Sequence, residues 1–98
     1  MNIQALMKQA QQMQKDIMKS KEEIDNMMFE GKSALVKVKM LGNKQISEIK
    51  FLDEEEAKID MQMLSDMIVV AINDAFNQID KVTEQKLGKY SNTMPGMF

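Results

Sequence analysis

The chain has no cysteine, no histidine, no tryptophan and no arginine, and a single proline in 98 residues. Without cysteine there are no disulfides and no thiolate metal ligands, a composition that suits a reducing compartment. Without histidine the commonest general base and the commonest metal ligand are both missing. The nucleophile of thiol enzymes is absent too. We therefore expect no enzyme, no cofactor and no metal. Every one of the thirteen cationic side chains is lysine. Arginine is the usual bidentate reader of guanine, so any binding to DNA should lean on phosphate contacts. No apolar run is long enough to span a bilayer, and the first residues are amphipathic rather than signal-like. The expectation is a cytoplasmic protein with no membrane partner and no small-molecule substrate.

What is present is an ordinary soluble composition, 44% hydrophobic and 29% charged, with a net charge of −2. The length suits one domain, and a chain this short buries only a modest core. Pairing with a second copy would help it considerably.

Residues 2–27 read as one long helix. Ile3, Leu6, Ala10, Met13, Ile17, Ser20, Ile24 and Met27 are spaced alternately three and four apart, a heptad stripe with Ser20 its only polar member. The stripe suits one face of a helical core or a coiled-coil seam, and either needs a partner helix. Gly31 ends that period. From Ala34 the pattern alternates, with Ala34, Val36, Val38 and Met40 on one face and Lys37 and Lys39 on the other: a half-buried strand. Gly42-Asn43 predicts a turn. Ile46, Ile49 and Phe51 mark the next strand, and because Ile46 is out of phase we expect a bulge near Ser47 or Glu48. Met28 to Ser33 leaves room for a short edge strand before the hairpin.

Asp53-Glu54-Glu55-Glu56 reads as a solvated acidic turn, with Asp53 and Glu56 spaced like a capping box. A calcium loop needs spaced oxygen ligands and a turn glycine, which three adjacent glutamates do not supply. The second long helix is expected to begin near Asp60. Met61, Leu64, Ile68, Ala71, Ala75, Ile79, Val82 and Lys86 keep helical spacing, and Met67, Ile72 and Phe76 widen the apolar face. Gly88 stops it, and the tail from Lys89 to Phe98 should be flexible.

Each helix, at about 25 residues, would be roughly 38 Å long, while a strand of about seven spans roughly 23 Å. The sheet cannot cover such helices. The N-terminus of the first and the C-terminus of the second should therefore lie together at a far tip. Residues 1–15 carry Lys8 and Lys15 and no acid, and residues 80–90 carry Lys81, Lys86 and Lys89 against Asp80 and Glu84. That tip is basic, and the first helix dipole adds to it. The sheet segment is also lysine-rich, and the acidic residues gather elsewhere. A dimer would present two such tips to one polyanion. Lysines on amphipathic helices are more often merely a solvated face, so charge alone does not carry the assignment.

Ala5-Leu6-Met7-Lys8-Gln9-Ala10-Gln11-Gln12-Met13-Gln14 closely resembles the opening helix of the YbaB/EbfC family of nucleoid-associated proteins. The likeness continues in Leu35-Val36-Lys37-Val38, in Gly42 and in Ile49. It runs on through Met63-Leu64-Ser65-Asp66-Met67-Ile68, through Ala71-Ile72-Asn73-Asp74-Ala75-Phe76, and to the closing Met94-Pro95-Gly96-Met97-Phe98. The resemblance covers nearly the whole chain in order. It implies an α+β fold, an α-β-β-β-α protomer with a small antiparallel sheet and two long helices, in a tight homodimer. It implies a DNA-binding domain over residues 1–88 with a tail over 89–98. It further implies binding of double-stranded DNA by the two long helices, in the bacterial nucleoid, organising the chromosome and modulating transcription. The phosphate contacts expected on that basis are Lys8, Lys15, Lys81, Lys86 and Lys89, with Gln4, Gln11 and Gln12 as hydrogen-bond donors. Asn73 and Asp74, set in an apolar stretch, look structural. The chain departs from many relatives in lacking a glycine-rich stretch before Leu35 and a proline after Asp53.

The rival is a prefoldin-like holdase or helical adaptor, which also carries two long helices flanking a hairpin. Twelve methionines favour it, since methionine makes adaptable apolar surfaces. Exposed Met7, Met13 or Met18 would point that way, and a lysine-lined arm would point to DNA.

Overall fold

A computed structural model describes residues 2–52 and 60–90. Helix α1 spans Ile3–Asp25, strands β1, β2 and β3 span Met28–Lys32, Val36–Leu41 and Ile46–Phe51, and helix α2 spans Met61–Leu87, followed by a 3₁₀ turn at Gly88–Tyr90. The sheet is antiparallel in the order β1-β2-β3. The architecture is the expected α-β-β-β-α.

Local chemistry sets the boundaries. Asn2 caps α1, its side-chain oxygen accepting from the Ala5 N–H at 3.3 Å, and Asp60 caps α2 by accepting from the Met63 N–H at 2.7 Å. The acidic run Asp53–Glu56 lies outside the described residues. The strand expected from Ala34 begins at Val36 instead, because Ala34 and Leu35 form the tight turn closed by the Ser33 N–H on the Val36 carbonyl at 2.8 Å. The bulge falls where the phase shift placed it: Lys39 pairs with Glu48 and Met40 with Ile46, leaving Ser47 as the extra residue. Lys44 supplies the left-handed position of the β2–β3 turn, with φ of 72°.

The core lies between one face of the sheet and α2. Phe29, Val36, Val38 and Met40 are buried against Ala71, Ala75 and Ile79. Burying each of the larger side chains contributes about 1.5–3 kcal/mol. The small α2 residues let β1 approach closely: a Cβ on Gly31 would strike the Ala71 carbonyl oxygen and lie 2.9 Å from the Ala75 Cβ. Gly31 therefore fills a packing role that its position after the first helix only partly suggests. A Cβ on Gly42 would likewise strike the Ile24 carbonyl, so the β2–β3 turn is seated on the end of α1.

A second, smaller cluster joins the helices. Ile17 and Ile24 of α1 pack with Leu87, flanked by Met13, Val82 and Tyr90. This corrects the expected tip. Most of α2 is used in covering the sheet, so only its last two turns run along α1, and they reach the middle of that helix. Residues 3–12 of α1 are exposed throughout and project beyond them. The molecule is accordingly elongated, 71 × 19 × 15 Å.

In strand β3, Ile46, Ile49 and Phe51 are 45%, 40% and 46% exposed. Ile49 and Phe51 stand opposite Val38 and Val36 and so point to the face that carries α2. The helix lies over β1 and β2 and leaves them uncovered.

Candidate nucleic-acid interface

The projecting half of α1 is built by its heptad stripe. Ile17 and Ile24 fix the stripe against α2, and this turns the opposite face of α1 to solvent. Gln4, Lys8, Gln11 and Lys15 follow one another at intervals of four, three and four residues, so they share that solvent face. All four are exposed. Among the described residues neither Lys8 nor Lys15 has an ion-pair partner, and α1 has no acid before Asp16. Gln12 lies just off this row, and its amide donates to Asp16 Oδ1 at 3.1 Å.

The expected α2 residues are placed differently. Lys81 is exposed on α2. Lys86 turns toward α1, its Nζ 3.7 Å from Glu23 Oε2. Lys89, in the closing 3₁₀ turn, lies with Nζ 5.0 Å from the Tyr90 ring centroid. These three sit beside the middle and base of α1, not at its free end. The eight expected contacts thus divide into a row on the arm and a looser group at the helix junction. At that junction a groove of about 340 Å³ is lined by Lys21, Asp25, Lys44 and Asp80 among others, charges of both signs.

Asn73 and Asp74 also divide. Asp74 is half-buried and Oδ2 accepts the Lys32 backbone N–H at 2.9 Å, while Asn73 is exposed. Gln78, one turn on, donates to the Glu30 carbonyl at 2.7 Å. Asp74 and Gln78 together satisfy two backbone groups on the outer edge of β1, the Lys32 N–H and the Glu30 carbonyl, a structural role.

Of the methionines that would mark a holdase arm, Met7 and Met18 are 58% and 61% exposed, and Met13 is half-buried. Ile3 and Leu6 are exposed as well. The arm therefore presents both a polar lysine face and an unpaired apolar stripe. No group of three or more carboxylates among the described residues is placed to hold a metal ion, and no helix there is long and apolar enough to cross a membrane.

One arrangement was not legible from helix charge alone. The outer face of the sheet, away from α2, carries Lys32 opposite Lys37 and Lys37 opposite Lys50. Three lysines form one cross-strand row. The signal for it was the alternation of the strands, but the row emerges only once the register is fixed by the bulge at Ser47.

The sequence model of the YbaB/EbfC DNA-binding family matches residues 1–94. A nucleoid-associated protein of Lactococcus lactis subsp. cremoris (strain MG1363) is 45% identical, covering 97% of this chain and 98% of that protein. One from Streptococcus pneumoniae (strain Hungary19A-6) is 42% identical over 97% of this chain and 98% of its own length. Another, from Ligilactobacillus salivarius (strain UCC118), is 39% identical over 99% of this chain and 95% of its own.

Proposed function

Since the chain belongs to the YbaB/EbfC DNA-binding family, we propose that it is a nucleoid-associated protein that binds double-stranded DNA as a homodimer, chiefly through lysine–phosphate contacts and without catalysis. The observation that carries this reading is the projecting half of α1, which sets Lys8 and Lys15 beside Gln4 and Gln11 on one exposed face with no acid before Asp16. Lysines contact phosphates as point charges, and the chain has no arginine for bidentate base reading, so sequence specificity is low. Lys81, Lys86 and Lys89 add weaker contacts, and Gln12 serves as a further donor. The consequence in the cell is organisation of the bacterial chromosome in the nucleoid, with effects on transcription.

Dimerisation is supported by the apolar surface left over in one protomer. Ile49 and Phe51 on β3 lie beside the flank of α2 opposite Asp74 and Gln78. That flank carries Val69, 55% exposed, with half-buried Ile72 and Phe76. Lys44, in the turn before β3, reaches the Phe76 ring at 5.6 Å, so this flank faces β3. A second copy covers the groove between them and brings two α1 arms to the same DNA.

Fluorescence-anisotropy titration with short unrelated duplexes at two salt concentrations tests the reading. With four to six phosphates neutralised, log affinity falls against log salt with a slope of about −4 to −5. A flat salt dependence rejects phosphate-driven binding. The exposure of Met7, Met18, Ile3 and Leu6 favours the second reading, a holdase or helical adaptor. Absence of DNA binding at low salt, together with suppression of aggregation of an unfolded client, would establish it instead.

A further inference from the structure

We propose that the outer face of the sheet is a second phosphate-binding surface for nucleic acid, formed by the row Lys32–Lys37–Lys50 and separate from the helix arm. The inference rests on the DNA-binding reading above and extends it to a face that reading does not use.

The sheet presents its two faces very differently. One is covered by α2. The other carries Lys32, Lys37, Lys39 and Lys50 against two acids, Glu30 and Glu48. The acids stand in one row, on either side of Lys39. The adjacent row holds lysine on all three strands. Glu30 pairs diagonally with Lys37 at 3.2 Å and Glu48 pairs with Lys39 at 3.7 Å. Both acids are therefore engaged by the central strand. Lys32 and Lys50, on the two outer strands, have no ion-pair partner among the described residues.

Like charges placed directly opposite on a sheet are destabilising. Glu30 offsets Lys37, the middle of the row, but Lys32 and Lys50 on either side have no such partner, and a polyanion that neutralises them supplies the missing compensation. Neighbouring strands are about 4.8 Å apart, so the row extends roughly 10 Å. Successive phosphates of one DNA strand advance about 3.4 Å along the axis and also rotate around it, so a straight row of this length meets about two of them. Lys8 lies 17 residues before the sheet end of α1, about 26 Å along the helix. The arm and the row therefore address different phosphates. Lysines on edge strands also discourage strands from pairing edge to edge, but that role leaves the salt dependence of DNA binding untouched.

The test is the double variant Lys32→Gln, Lys50→Gln, which leaves both ion pairs of the face intact. Anisotropy titrations with a short duplex would be run at about 50 and 200 mM salt beside the wild type and the arm variant Lys8→Gln, Lys15→Gln. Two lost phosphate contacts make the slope less negative by about 1.8, so the sheet variant loses about 12-fold less affinity than the wild type over that interval for each protomer engaged. Its thermal midpoint stays level or rises as the repulsion is relieved. A slope equal to that of the wild type overturns the proposal. Wild-type protein that fails to bind at about 50 mM overturns the DNA reading and this surface together, whereas wild-type binding with an unchanged slope in the sheet variant removes the surface alone.

Discussion

Asp74 Oδ2 accepts the backbone N–H of Lys32 at 2.9 Å, tying the middle of α2 to the outer edge of β1 across 42 residues of sequence. With the Gln78 amide on the Glu30 carbonyl at 2.7 Å, two polar side chains of a largely apolar helix take the place of a fourth strand. The pair also holds the helix over β1 and β2, and so leaves β3 bare.

Asp74→Ala should cost about 1.5–3 kcal/mol, the net value of a hydrogen bond to a charged group, and lower the midpoint of thermal unfolding by at least about 6 °C in a domain of this size. Asn73→Ala, one residue away and exposed, should change it little. Calorimetry on the two variants checks the contrast, and equal effects would contradict the structural role given to Asp74.

Gly31→Ala and Gly88→Ala should act in opposite directions. The first drives a methyl group into the Ala71 carbonyl and the Ala75 Cβ, and overpacking of this kind costs about 1–3 kcal/mol. The second meets only the Glu84 Cγ at 3.6 Å, with a right-handed φ of −58°, and should stabilise by about 0.4–1 kcal/mol through the unfolded chain. Urea denaturation of both variants decides the matter.

These contrasts show how far the residues could be read before folding. The α1 stripe, the extra residue near Ser47, the start of α2 at Asp60 and the structural character of Asp74 all follow from local spacing and chemistry. What escaped was longer in range. Helical spacing carries the α2 stripe to Lys86, but Leu87 is the buried residue, because α2 changes partner from the sheet to α1 between Ile79 and its end. The same change stops α2 beside Met13 and Ile17 and leaves Lys8 on an arm of its own. The row of Lys32, Lys37 and Lys50 needs the register of all three strands at once. Of the tail expected from Lys89, residues 91–98 lie outside the described residues.

Lys8→Glu with Lys15→Glu should weaken DNA binding strongly while the mass of the assembly and its thermal midpoint remain those of the wild type, since both side chains are exposed and unpaired. Lys86→Gln should act less, because Lys86 is already engaged with Glu23. Titration and light scattering on the same samples separate the effects. Loss of assembly together with binding would place the arm lysines in the dimer contact.

Phe51→Lys or Ile49→Lys should yield folded monomers. Both side chains are exposed in the protomer, so helix content measured by circular dichroism should persist while the mass by light scattering halves. DNA affinity should fall with it, because two linked arms bind more tightly than one. A dimer unaffected by either charge would move the contact elsewhere.

The partly engaged edge of β1 also sets a limit on growth. A sheet with two free edges can add copies at both and propagate as a fibre. Here two groups of the β1 edge are already bonded to α2, so union along β3 would use the same, freer margin of both partners, isologously.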